Sequence, residues 1–350
     1  MNYMRIIFKK FKARMIVGCI LAVIALLTVS VIVFINQASF GRTPRGERLE
    51  RVMKSSNYRN GEFKNQHETL LMTSDRGRFS GIWEFIFRKI DGLRPEQAVK
   101  AIKTDLRKIG RNEEILVWFG HSSYLIQTGG KRILVDPVFC MASPVSFVNK
   151  PFKGTELYTP DDMPDIDYLV ISHDHWDHLD HNTVKKLKDR IGAVICPLGV
   201  GEHFEYWGFD KERLIELDWN EDANLAPGFM IHCLPARHFS GRGLTANQSL
   251  WASFLLEAPS QKIYIGGDGG YDTHYAEIGN RFPDIDLAIL ENGQYDKEWS
   301  LIHLMPQYMA QTARDLKAKR ILTVHHSKYA LAKHRCDEPL KNAEDMKNKD

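Results

Sequence analysis

"YLVISHDHWDHLDH", residues Tyr168–His181, decides how this chain is read. An apolar run of strand character leads into His173–His181, nine residues that hold four histidines and three aspartates. Such side chains at the end of a buried strand are costly unless they are paired or bound to a metal. His173 and His175 are two apart, so on extended chain they point to the same side. Asp177 and His178 follow as the chain turns towards a helix expected from about Leu179. Two donors, then two more after a bend, suit two adjacent cations better than one. Imidazole nitrogen and carboxylate oxygen are the usual non-sulfur ligands of zinc.

Two metals need further ligands, and three other strand ends offer them. "CLPARHFSGR" closes the 229–236 run and carries His238, and "YIGGDGGY" closes the 261–266 run and carries Asp268 between glycines. "LTVHHSKYA" closes the 321–324 run and carries His325 and His326, of which register favours His325. Around these lie short β-rich runs: "ILVWFG", "SSYLIQT", "KRILVDPVF", "DYLVIS", "AVIC", "LIELDW", "FMIHCLPA", "LWASFLLEA", "KIYIGG", "DLAIL" and "RILTVHH". Gly129-Gly130 reads as a hairpin turn. Helical signals sit at "HNTVKKLKDRI", "VGEHFEYWGF", "YAEIGNRF" and "PQYMAQTARDLKA", with another expected over "RPEQAVKAIKTDLRKI". Strands mixed with helices in this order imply a layered α/β (α+β) domain.

"HDHWDH" with later His, Asp and His resembles the metallo-β-lactamase superfamily. The resemblance extends to the group of phospholipases D that hydrolyse N-acylphosphatidylethanolamine. It is carried by "GHSSYLI", "LVDPVF", "ASP", "DYLVISHDHWDHLD", "IELDW", "GGDGGY", "EIGNRFPDIDLAIL", "IHLMPQ" and "HHSKYALA". What it implies is a four-layer αββα sandwich with two Zn²⁺ between the sheet edges, Mn and Fe remaining open. By position, one metal takes His173, His175 and His238, and the other takes Asp177, His178 and His325. Asp268 bridges both. His303, in "LIHLMP", matches a family histidine near the reacting group, so Asp177, Asp268 and His303 are the catalytic candidates. Gly269 departs from the family's usual threonine. His121 and Asp136 are candidates for orienting the ligands, or ordinary turn residues. His181, His203, His232, His274 and His334 are read as surface or core histidines.

Two Zn²⁺, two aspartates and a bridging hydroxide sum to about +1, which suits an anionic phosphodiester. The leading expectation is a membrane-anchored binuclear zinc hydrolase, a phospholipase D acting on N-acylphosphatidylethanolamine-like lipids through a metal-bridging hydroxide. The alternative is a lactonase, β-lactamase or other carboxylic ester or amide hydrolase, since the same ligands activate water against any of these. A binding protein without turnover is disfavoured by the complete ligand set. A redox di-iron relative is disfavoured by His175, which stands where a carboxylate would be expected.

The first segment stands apart. Met15–Ile35 runs 21 residues without a charge, long enough for a membrane helix. Arg5, Lys9, Lys10, Lys12 and Arg14 precede it with no acid, which places the N-terminus in the cytoplasm and the rest on the periplasmic or extracellular side. A cleaved signal peptide is the competing reading, but "FINQASFG" is a poor cleavage site. The organisation expected is a basic cytoplasmic flank at 1–14, an anchor or signal at 15–36, a linker and N-terminal arm at 37–110 and the hydrolase domain at 111–345. Within the arm, "FSGIWEFIFRKI" is expected to pack on the domain, or else to touch lipid or substrate. The formal charge of +3 reflects the flank, without whose five cations 42 Lys and Arg face 44 acids. No nucleic-acid partner is expected, and a homodimer stays open. Cys140, Cys196, Cys233 and Cys336 are expected as buried free thiols.

Overall fold

The computed structural model describes residues 2–73, 90–145 and 147–347. The chain divides into two compact units, Met1–Phe40 and Gly41–Asp350. The first is dominated by helix α1 (Asn2–Ile35), whose stretch Lys10–Ile35 is long and apolar enough to cross a membrane. It qualifies by length and composition only, which a signal sequence shares.

The second unit is built on two six-stranded mixed sheets. Strands β3 (Ile115–Trp118), β4 (Tyr124–Thr128), β5 (Lys131–Val135), β6 (Ile166–Val170), β7 (Ile191–Pro197) and β8 (Leu214–Leu217) form one, in that order. It is antiparallel through β5 and parallel from β5 to β8. The other runs β14 (Ile321–Val324), β13 (Leu287–Glu291), β12 (Lys262–Ile265), β11 (Ser253–Glu257), β10 (Phe229–Leu234), β9 (Asp222–Ala226). There β12, β13 and β14 are parallel and the other pairs antiparallel. Gly129 and Gly130 turn β4 into β5 with φ of 53° and 78°, the left-handed geometry a two-residue hairpin requires.

Side-chain alternation assigns the layers. Tyr124, Ile126, Ile133, Val135 and Val170 from one sheet meet Phe229, Ile231, Phe254, Leu256, Ile263 and Ile265 from the other in one buried core. The intervening Leu125, Leu134, Leu169 and Val194 turn outward, against α3 (His181–Leu187) and α4 (Gly201–Tyr206). Leu255, Tyr264, Ala288 and Leu290 do the same against α5 (His274–Arg281) and α6 (Met309–Asp315). Both faces of both sheets are thus buried, which is why their strands read as continuous apolar runs.

The N-terminal arm joins this unit through α2 (Gly46–Lys54) and the short hairpin β1 (Tyr58–Arg59) and β2 (Glu62–Phe63). Val52 and Phe63 are wholly buried in the inter-sheet core. Arg48 Nη1 sits 2.7 Å from Glu202 and its Nε 2.6 Å from Glu216.

Four of the five expected helices of this unit are present; the fifth is not. "RPEQAVKAIKTDLRKI" yields only a 3₁₀ turn at Leu106–Lys108. Its backbone pairs across the chain instead: Val99 N donates to Lys153 O and Thr104 N to Tyr158 Oη. Ile102, on the apolar stripe the spacing implied, is 87% exposed. Tertiary hydrogen bonds have overridden a weak helical propensity. Strand β9 was not anticipated: "DANLA" has one large apolar residue and is an edge strand. Of "FSGIWEFIFRKI", all but Ile90 lies outside the described residues. The cysteines are free as expected, but only Cys196 and Cys233 are buried; Cys140 is exposed and Cys336 half-buried.

Candidate metal centre

Seven strands deliver the site. His121 follows β3, Asp136 follows β5, the His173–His178 loop follows β6, His238 follows β10, Asp268 follows β12, Glu291 ends β13 and His325 follows β14. The pairing directions put the C-terminal ends of β3, β5 and β6 at one edge of the first sheet, and those of β10, β12, β13 and β14 at one edge of the second. Side chains far apart in sequence therefore converge at a single rim.

There they form overlapping donor clusters. His173 Nε2 and His238 Nε2 lie 2.9 and 3.2 Å from His175 Nδ1. Asp177 Oδ2 lies 2.9 Å from His121 Nε2, 3.4 Å from His325 Nε2 and 3.7 Å from His178 Nε2. Between the groups stands Asp268, whose Oδ2 is 3.2 Å from His178, 3.3 Å from His325 and 3.9 Å from His238. The seven residues the sequence nominated as ligands thus converge. His325 turns inward, whereas His326 bonds to Thr323 and Ser327 and meets Trp118 edge-on.

The donor chemistry fits cations. His178 Nε2 and Asp268 Oδ1 are buried without a hydrogen-bond partner, a costly state for groups that face other donors across the cluster. Burial, with the neighbouring imidazoles, pushes His173 well down; burial likewise lowers His175 and His238. These three are neutral, the form that binds metal. His178 and His325 are opposite. Burial opposes their protons, but Asp268 and Asp177 outweigh it and raise His178 well above its ordinary value. Asp268, Asp177 and Glu291 likewise hold His325 at about 10. The carboxylates here demand positive charge, which a proton or a metal supplies.

A second ring of residues orients the first. Asp136 accepts from His178 Nδ1 at 2.8 Å and from the Ser172 hydroxyl at 2.6 Å. Ile302 O accepts from His238 Nδ1 at 2.7 Å. Glu291 Oε2 accepts from His303 Nδ1 at 2.7 Å and His325 Nδ1 at 3.1 Å; its Oε1 accepts from Gly269 N and Leu304 N. Sequence reasoning passed over Glu291, because it reads as the last residue of an apolar strand. Its signal was a carboxylate ending "LAILE". His121, read from sequence as either an orienting group or an ordinary turn residue, is fully buried and reaches Asp177 directly, and burial pushes its pKa down to about 3. Asp174, also passed over, pairs at 3.1 Å with His203, a histidine read as surface or core and found buried.

Strain gathers here. His121, Asp136 and His325 have φ of 54°, 40° and 67°, a region non-glycine residues seldom adopt and that marks functional sites. His121 and His325 are locked by backbone bonds, His121 N to His326 O and His325 N to His121 O, both 2.9 Å.

A cavity of about 430 Å³ opens over the cluster. His175, Asp177, Asp268, His303 and His325 line its floor side, and Leu71, Met72, Phe239, Trp299, Ile302 and Leu331 supply apolar wall.

Residues 131–326 match the family model of the β-lactamase superfamily domain. The chain belongs to this superfamily. Its relatives include metal-dependent hydrolases. An uncharacterized Mycobacterium tuberculosis protein is 36% identical over 296 residues, 82% of this chain and 78% of that protein. N-acyl-phosphatidylethanolamine-hydrolyzing phospholipase D 1 of Caenorhabditis elegans is 29% identical over 231 residues, 61% of this chain and 64% of that enzyme. The mitochondrial enzyme of that name from Saccharomyces cerevisiae is 32% identical over 243 residues, 65% of this chain and half of its own length. Among solved structures, the metallo hydrolase Igni18 of Ignicoccus hospitalis superposes with a TM-score of 0.50 at 19% identity, over 66% of this chain and 90% of its own. CmlA, a diiron β-hydroxylase from Streptomyces venezuelae, reaches 0.52 at 17% identity over 68% of this chain and 51% of its own. These two share the fold.

Proposed function

We propose that this member of the superfamily is a binuclear zinc phosphodiesterase, held at a membrane by α1, that acts as a phospholipase D on N-acylphosphatidylethanolamine-like lipids. The observation that carries the reading is the convergence of seven His and Asp donors, two with orphaned buried atoms, four of which (His175, Asp177, Asp268 and His325) line a cavity with apolar walls. His173, His175 and His238 would hold one metal and Asp177, His178 and His325 the other, with Asp268 placed between the two groups. Likeness to the worm and yeast phospholipases supports the phosphodiester. The basic flank and uncharged α1 support an anchor with the hydrolase unit outside the cytoplasm.

A bound pair of divalent cations supplies an acidified water and a positive clamp for phosphoryl oxygens. The chain does the rest. Asp177 and Asp268 neutralise part of that charge and orient the nucleophile. Glu291 accepts the Nδ1 proton of His303, and in the imidazolium the second proton, on Nε2, is the one donated to a phosphoryl or leaving oxygen at the cavity wall. Leu71, Phe239, Trp299 and Leu331 exclude water beside it.

The test is a substrate panel on protein lacking residues 1–36, with metal content measured. An N-acylphosphatidylethanolamine and bis-p-nitrophenyl phosphate are run beside a lactone and a β-lactam. Phosphatidic acid release, lost in Asp268→Ala, is the expected result. Two metals per chain with turnover of only the lactone or β-lactam refutes the substrate class.

A further inference from the structure

The segment between the apolar helix and the first sheet touches the donor cluster at two separate points. Asn65 turns its carboxamide on the backbone of His238. Its Nδ2 donates to His238 O at 2.8 Å, and its Oδ1 accepts from His238 N at 3.1 Å and from Trp251 Nε1 at 3.1 Å. Both backbone groups of one residue are thus paired by one side chain, as a neighbouring strand would pair them. That matters because His238 lies beyond the end of β10, where no ladder holds it.

The second contact reaches the loop of His173 and His175 through His203. Arg42 N donates to His203 Nδ1 at 3.0 Å. A backbone N–H can only donate, so the ring proton sits on Nε2, which points at Asp174 Oδ2, 3.1 Å away. Asp174 also accepts from Ser249 Oγ at 2.8 Å and Gly241 N at 2.7 Å, and is buried. It stands between the two histidines in the chain, so fixing it fixes both. Gly41 makes the approach possible: its φ is 70°, and a Cβ there would lie 2.0 Å from His203 Nδ1.

We infer that the arm from Gly41 to Asn65 is a working part of the His173, His175 and His238 centre: it positions His238 through Asn65 and the other two through the relay Arg42 N–His203–Asp174. The arm is therefore no passive tether. Asn65, His203 and Asp174 are positioning residues that touch neither metal nor substrate. The inference rests on the metal-centre reading above. Partners of this kind, one shell out from the ligands, typically change metal affinity by about 10–100-fold when removed.

The experiment measures zinc affinity by chelator competition in the full chain and in Asn65→Ala, Gly41→Ala and Asn57→Ala. Asn57 Nδ2 bonds Asp218 at 2.8 Å, so the last variant removes an arm contact made to neither His238 nor His203. Melting of the metal-free proteins is followed in parallel. Asn65→Ala and Gly41→Ala are expected to weaken one of two zinc sites about 10–100-fold, while Asn57→Ala holds wild-type affinity even where it melts earlier. Equal affinity in all three variants, or losses that track melting temperature alone, overturn the inference. Should Asn65→Ala not fold, Asn65→Asp keeps the acceptor for His238 N and loses the donor to His238 O, and wild-type affinity in that variant overturns it equally. Wild-type protein that binds no zinc refutes the metal centre itself, a result the variants cannot mimic.

Discussion

Glu291→Gln tests the centre with almost no change of shape. Glu291 is 2% exposed and accepts four N–H groups: Gly269 N at 2.7 Å, Leu304 N at 2.8 Å, His303 Nδ1 at 2.7 Å and His325 Nδ1 at 3.1 Å. Glutamine has one acceptor oxygen. If its NH₂ replaces Oε1, two buried backbone amides lose their acceptor, at about 1–3 kcal/mol each. If it replaces Oε2, it donates to both imidazoles, and their protons must move to Nε2. On His325 that nitrogen is the one turned towards Asp177 and Asp268, and a protonated nitrogen cannot ligate. The first orientation therefore lowers stability by about 2–6 kcal/mol; the second lowers metal affinity by about 10–100-fold. Urea denaturation of the metal-free protein and chelator competition on the loaded protein read the two separately. A variant within about 0.5 kcal/mol of wild type that also holds metal equally well would refute the role given to Glu291.

Three further outcomes are expected. His303→Ala should lower kcat by about 10²–10⁴-fold, the range of a lost proton donor, with both metals retained; unchanged turnover removes His303 from the mechanism. Metal binding near pH 8 should release protons, because His325 is held at about 10 and His178 well above its ordinary 6.5, and both must deprotonate to ligate. The sign carries over to stability. A raised folded-state pKa stabilises fully below 6.5, and that contribution is lost as pH rises through about 10. Metal-free protein should thus lose stability between those values, and calorimetry in buffers of different ionisation enthalpy that shows no proton release would contradict the assignment. Gly270→Ala should cost about 1–3 kcal/mol, since its Cβ would lie 2.0 Å from Leu301 O and 3.0 Å from Ile302 N. It should also weaken metal binding at the cluster proposed around His238, whose Nδ1 donates to Ile302 O; an unchanged melting temperature would count against that packing.

Much of the site was legible because it is local. His173, His175, Asp177 and His178 share one loop, and the hydropathy of "YLVIS" states that a buried strand delivers them. His238, Asp268 and His325 were found by the same rule, a polar donor just past an apolar run. The hairpin at Gly129-Gly130 and the helices at His181, Gly201, His274 and Met309 followed from turn chemistry and period. The helix expected over residues 94–109 failed because its backbone found partners at Lys153 and Tyr158, which no local pattern encodes.

What the sequence alone determined, then, is which side chains carry charge at strand ends, and how many apolar runs exist to bury. Tertiary structure alone decided which of them meet. Asn65 lies 173 residues from His238 and His203 lies 29 from Asp174; Glu291 lies 34 from His325. These partners have no spacing rule, because what joins them is the edge where two twisted sheets bring their strand ends together. The chain's own order says nothing of that edge until the inter-sheet core of Tyr124, Ile133, Phe254 and Ile263 has closed and fixed it.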